Sequence, residues 1–291
     1  MAHPCGQCLP CRFNARRVWT HRIMLEAGQY TDNAYVTLTY RPPVYGPEDM
    51  SLRPRDLQLF LKRLRFRIAP HRIRFYAVGE YGDLNHRPHF HLALFNYPTC
   101  FHVADRLRFG KHRYARGFKN CCTPCDTLRD LWPYGFVDVG TLEVDSAQYI
   151  AGYVTKKMTL KSDPRLCGRH PEFARMSNRP GIGASAMHDV ASELLKFNLD
   201  ASQTDVPSVL RHGSRLLPLG RYLRQKLRLY VGKDGGAPAE VLAQMEEELR
   251  PLREAAFDAS RSFKEVIIES SVQEHRNFDA KSKLFQKGKK L

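Results

Sequence analysis

IRFYAVGEYGDLNHRPHFHLALF, residues 73–95, holds two apolar runs on either side of a polar centre. The runs 73–80 and 87–95 have the aromatic and aliphatic content of strands. Gly82, Asp83, Asn85 and Pro88 supply turn chemistry between them. A β-hairpin is expected. Successive side chains of a strand point to opposite faces, so His89 and His91 share one face while Phe90 and Leu92 take the other. With residues 81–88 as the loop, Glu80 lies opposite His89 and Val78 opposite His91. Two imidazoles and a carboxylate then converge. Such a mixed set suits Mg, Mn, Zn or Fe, and three protein ligands leave positions open for a substrate oxygen. A pair of solvated strand histidines is the plainer alternative.

Further along, FVDVGTLEV (136–144) reads as a strand and Ser146 as the N-cap of a helix starting near Ala147. That helix carries YIAGYVTKK, residues 149–157. Tyr149, Tyr153 and Lys157 fall at i, i+4 and i+8, with Lys156 flanking the same stripe. Ile150 and Val154 lie about 100° away around the helix, so the tyrosines are not the obvious core face. An amphipathic helix that packs its phenol rings and leaves the hydroxyls in water is the alternative. Beside a metal the stripe implies a chemistry: Lys charge lowers a phenol's pKa, and a cation polarises a phosphodiester for attack. The product would be a phosphotyrosine.

These motifs resemble the HUH endonucleases, in particular the rolling-circle replication initiators of microviruses, small single-stranded DNA bacteriophages, and among them the gokushovirus branch. VTLTY (36–40) is similar to the first conserved strand of that family, GEYG to RPHFHLALF (79–95) to its metal motif, and YIAGYVTKK to its two-tyrosine motif. RMSNRPGIG (175–183) and PCGQCLPCR (4–12) also resemble gokushovirus initiators. The resemblance implies His89 and His91 as metal ligands with Glu80 as the third, Tyr149 and Tyr153 as nucleophiles, and Lys156 or Lys157 beside the phosphate. Its cofactor would be a divalent metal, Mg or Mn. The implied activity is nicking of single-stranded origin DNA, with a 5′-phosphotyrosyl link, a free 3′-hydroxyl for the host replication machinery and later rejoining, all in the host cell cytoplasm. An HUH transposase or relaxase, a metal nuclease that uses water, and a non-catalytic DNA-binding module are the competing readings. A covalent protein–DNA adduct separates the first of these from the other two.

Composition fits a nucleic-acid partner: 46 Lys and Arg against 30 Asp and Glu give a formal charge of +16. Within residues 53–74, Leu57, Phe60, Leu61 and Leu64 share one helical face, ringed by Arg55, Lys62, Arg63 and Arg65. No run approaches the roughly 20 apolar residues of a membrane span, and the basic start lacks the apolar core of a signal peptide. Eight cysteines include Cys5, Cys8 and Cys11 in CxxCxxC, one thiolate short of a Cys₄ zinc site. A structural zinc there needs a fourth ligand from His3, Cys100 or the cluster at 121–125. Ordinary thiols are the alternative.

An α+β fold is expected, a central antiparallel sheet with flanking helices packed on one face, plus a helical C-terminal appendage. Residues 1–30 form a Cys-rich segment and basic helix, 31–231 the endonuclease-like domain, and 240–291 a charged helical region after the GKDGGAPAE break. Residues 98–134 read as an irregular insertion, GRYLRQKLRLY (220–230) as a helix facing DNA or solvent, and Pro251 as a kink or stop.

Overall fold

The expected hairpin forms, in register. In the computed structural model, which describes residues 9–42, 50–82, 85–102, 121–153, 162–201, 203–273, 276–277 and 280, five strands make one antiparallel sheet. They are β1 (Asn33–Tyr40), β2 (Arg74–Tyr81), β3 (Pro88–Phe95), β4 (Gly135–Thr141) and β5 (Phe173–Met176), in the order β4-β1-β3-β2-β5. Glu80 pairs with His89 and Val78 with His91. Asp83 and Leu84 of the connecting loop lie outside the described residues.

Helices cover both faces of this sheet, not one. On the first face Val36, Leu38, Phe90, Leu92 and Leu94 form a fully buried layer. Against it pack Leu57, Phe60, Leu61 and Leu64 of α2 (Pro54–Arg67) and Leu128 and Leu131 of α3 (Thr123–Leu131). On the second face Tyr76, Val78, Ala93 and Phe95 meet Ile23 and Ala27 of α1 (Leu9–Ala27) and Ala147, Ile150 and Ala151 of α4 (Val144–Tyr153). Burial on both sides explains why HLALF is a continuous apolar run rather than an alternating one. Alternation survives only at the end of the sheet where His89 and His91 replace aliphatic residues.

Three local expectations change. The helix α4 begins at Val144 and β4 ends at Thr141, because Ser146 sits inside the first turn: its hydroxyl accepts the Glu143 N–H at 2.8 Å. Residues 98–134 are not wholly irregular, since α3 and Trp132 belong to the core; 103–120 lie outside the described residues. A later helix (Ala239–Asp258) contains Pro251 and continues to Asp258, giving up one ladder bond rather than the element.

The loop after β5 is tied to the sheet by a buried carboxylate. Glu26 is fully buried and accepts from Arg74 Nε at 2.5 Å and from the Gly183 N–H at 2.7 Å. Arg74 also donates to the carbonyl of Pro180 at 2.6 Å, and Arg22 Nε to that of Ile182 at 3.0 Å. Gly183 has φ +80, and a Cβ there would stand 3.0 Å from the Arg22 carbonyl oxygen. RMSNRPGIG is thus a strand followed by a clamped turn.

Chain contacts gather residues 19–186 into one compact unit and residues 1–18 with 187–291 into another. The second unit holds α5 (Ala186–Lys196, all but its first residue), the hairpin β6 (Val209–His212) with β7 (Arg215–Pro218), α6 (Gly220–Tyr230), α7 (Ala239–Asp258) and α8 (Phe263–Ser270). In α6, Leu223, Leu227 and Arg228 are buried, and Arg228 is bonded to Asp205 at 2.7 Å. That arginine faces inward, not towards DNA.

Candidate metal centre and nucleophile

The hairpin register brings Glu80, His89 and His91 together because all three project from the same face of adjacent strands. One carboxylate oxygen, Glu80 Oε1, lies 2.6 Å from His89 Nε2 and 3.1 Å from His91 Nε2. Glu80 is 2% exposed and His91 5%. The other carboxylate oxygen, Glu80 Oε2, is buried with no hydrogen-bond partner among the described residues. A buried carboxylate oxygen left in this state costs free energy that a cation offsets.

Both rings are oriented from behind. The Nδ1 of His89 lies 3.0 Å from the carbonyl of Arg87, so this nitrogen carries the proton and donates, leaving Nε2 as a lone pair facing the carboxylate. The Nδ1 of His91 is 2.7 Å from the Tyr35 hydroxyl and 3.0 Å from Thr37 Oγ1. Thr37 is the β1 residue paired with His91. Burial pushes the Tyr35 phenol well above the usual tyrosine range, so it remains a neutral hydroxyl. These are the partners that fix a metal-binding histidine's tautomer and plane. Two Nε2 atoms and a carboxylate oxygen lie within 4.8 Å of one another, and this donor chemistry fits a divalent cation with positions to spare.

Tyr149 reaches the same place from α4. Its ring stands edge-on to His91 with centroids 5.0 Å apart, while Tyr35 lies parallel to His91 on a second side at 5.6 Å. Ile150 turns into the core as Tyr149 stays 39% exposed, the division the helical period implies. Tyr153 is the last residue of α4; its side chain, like Lys156 and Lys157, lies outside the described residues. So do Cys5 and Cys8, whereas Cys11 sits in the first turn of α1. Sequence reasoning missed Tyr35 and Thr37. Their signal was the alternation NAYVTLTY, whose polar members fall on the histidine face once β1 is known to border β3.

With this geometry in hand, comparisons with known proteins become specific. Residues 33–158, from the start of β1 past the end of α4, match the family described as replication-associated protein ORF2. Replication-associated protein VP4 of Bdellovibrio phage phiMH2K is 32% identical over 169 residues, covering 56% of this chain and 50% of that protein. Replication-associated protein ORF4 of Chlamydia phage 1 is 30% identical over 250 residues (84% and 58%), and replication-associated protein ORF2 of Spiroplasma virus 4 is 34% identical over 209 (69% and 62%). The matched stretches thus span about half to three fifths of these relatives' own lengths. No solved structure matches significantly. The segment that builds the sheet, the triad and Tyr149 is the segment the family shares, and through it the chain belongs to the replication-associated protein ORF2 family.

Proposed function

We propose that the protein initiates phage DNA replication by nicking single-stranded origin DNA with a tyrosine and later rejoining the strand. The observation that carries this reading is the edge-on contact of Tyr149 with His91, which puts a phenol beside three convergent metal-ligand side chains. Glu80, His89 and His91 would hold a divalent ion, Mg or Mn. When bound, the ion supplies Lewis-acid polarisation of a phosphodiester. Tyr149 Oη attacks phosphorus and loses its proton to solvent; the bond from phosphorus to the 3′-oxygen breaks, and that oxygen takes up a proton. The products are a 5′-phosphotyrosine and a free 3′-hydroxyl that a host polymerase extends in the host cell cytoplasm. Tyr153, one helical turn on, serves as the second nucleophile for rejoining, and Lys156 or Lys157 steadies the phosphate.

Incubation with single-stranded origin DNA, denaturation and mass spectrometry test this directly. A covalent adduct on Tyr149 or Tyr153 is expected with the wild type, none with the double Tyr→Phe variant, and none with His89→Ala or His91→Ala. Salt-dependent DNA binding should persist in all three variants. Cleavage without an adduct identifies water as the nucleophile, and binding without cleavage a non-catalytic module; either outcome ends the proposal.

A further inference from the structure

Four cysteines that the triad does not involve meet on the opposite layer of the same unit. Cys100 follows β3, Cys121 and Cys122 precede α3, and Cys125 lies in that helix's first turn. The Sγ atoms of Cys100 and Cys121 are 3.6 Å apart, those of Cys100 and Cys122 3.9 Å, and all four lie within 4.8 Å of one another. A disulfide needs about 2.05 Å, and none of the four forms one. A tetrahedral Zn(Cys)₄ centre with Zn–S near 2.3 Å has sulfur–sulfur edges of about 3.8 Å. The cluster therefore has the dimensions of a tetrathiolate cage.

We propose that Cys100, Cys121, Cys122 and Cys125 bind a structural zinc ion that fastens α3 to the end of β3. Four thiols give up four protons to solvent as the ion binds, and the centre carries a net charge of −2. Its surroundings suit that charge. Cys122 is the N-cap of α3 and Cys125 lies within its first turn, where the helix dipole favours thiolate. Backbone N–H groups of Cys125 and Phe101 point at the Cys122 sulfur, and Asp126 holds the Cys121 N–H at 3.2 Å. Cys100 and Cys125 are 1% exposed inside the apolar layer with Leu128 and Trp132. Without a cation, burial pushes the Cys121 thiol up to about 11, so four neutral thiols would crowd together with little to gain from one another. The four sulfurs form a complete ligand set, which removes the need for a contribution from Cys5, Cys8 or Cys11.

The test uses the full-length protein, purified under reducing conditions and dialysed against EDTA to clear exchangeable ions. Metal analysis should find about one zinc ion per chain. The double variant Cys100→Ser/Cys125→Ser should lose it. The triple variant Cys5→Ser/Cys8→Ser/Cys11→Ser and the double variant His89→Ala/His91→Ala should both retain it. Because the cysteine variants can misfold, cobalt exchanged into the wild type gives a second measurement. Sulfur-to-cobalt charge-transfer bands with tetrahedral d–d bands are expected, and a mercurial should release the ion as four buried thiols become reactive together. Absence of zinc and of the cobalt spectrum overturns the site, as does zinc that departs with the N-terminal cysteines or with the histidines.

Discussion

Tyr35 sets what His91 can do. Its hydroxyl is one of two partners of the His91 Nδ1, the other being Thr37 at 3.0 Å. Tyr35→Phe keeps the ring stacked on His91 but removes that partner, so the tautomer with a free Nε2 is less favoured. The metal concentration needed for half-maximal adduct formation is expected to rise roughly tenfold, with the saturated rate little changed. A titration with Mn tests this; an unchanged midpoint removes Tyr35 from the metal's support. Adding Thr37→Val should enlarge the effect. At this scale the ligands were legible and their supports were not. Two histidines two apart, with a glutamate opposite across a hairpin, follow from the period of a strand alone. Tyr35 and Thr37 become visible only when β1 is placed beside β3, and no periodicity in one chain announces which strands are neighbours. The same limit hid the cysteine cluster, whose members stand on both sides of α3's N-terminus and at the end of β3.

Strand β4 illustrates how an element's glycines divide into required and tolerated. A Cβ on Gly135 would stand 2.0 Å from the Thr39 carbonyl oxygen and 2.7 Å from the Arg41 nitrogen, so β1 and β4 must separate for Gly135→Ala to fold. On Gly140 it would meet only the Tyr35 ring, at 3.8 Å. Gly135→Ala should therefore destabilise by about 2–4 kcal/mol and Gly140→Ala by less than about 1, measured as urea midpoints at constant slope. Equal midpoints for the two variants would contradict the pairing of β4 with β1. Elements were mostly legible where one physical signal dominated. The hairpin was clear from period-two spacing and turn residues, and α2 from its apolar face of Leu57, Phe60, Leu61 and Leu64. The start of α4 was misread because Ser146 has the chemistry of an N-cap but spends its hydroxyl on the Glu143 N–H from within the first turn. The second helical layer was missed because aliphatic residues on both faces of β3 carry no label saying what covers each.

For the molecule as a whole, the α+β class followed from the mixture of patterns, and the +16 charge pointed to a polyanionic partner. Its acid stability draws on an ion pair outside the sheet. Hydrogen bonds from Arg228, with Arg224 alongside, hold the Asp205 carboxyl at about 2, below its usual 3.8. A carboxylate with a depressed folded pKa contributes stability that is fully present above about pH 4 and is lost as pH falls towards 2. The shift corresponds to at most about 2 kcal/mol, less after solvent screening. Urea unfolding from pH 6 down to 2 should show Asp205→Asn less stable than wild type at neutral pH and the gap closing with acid; a gap independent of pH would contradict the ion pair. No sequence pattern links Asp205 to Arg228, so this clamp was not legible. The triad differs from that clamp and from the cysteine cage in being local: its ligands all fall between Glu80 and His91 on one hairpin, a short loop that closes at small entropic cost. During synthesis the cation-binding half of the site is complete before Tyr149 has been made. A nascent chain can thus acquire its metal while it is still chemically harmless, and becomes able to cut DNA only when α4 arrives.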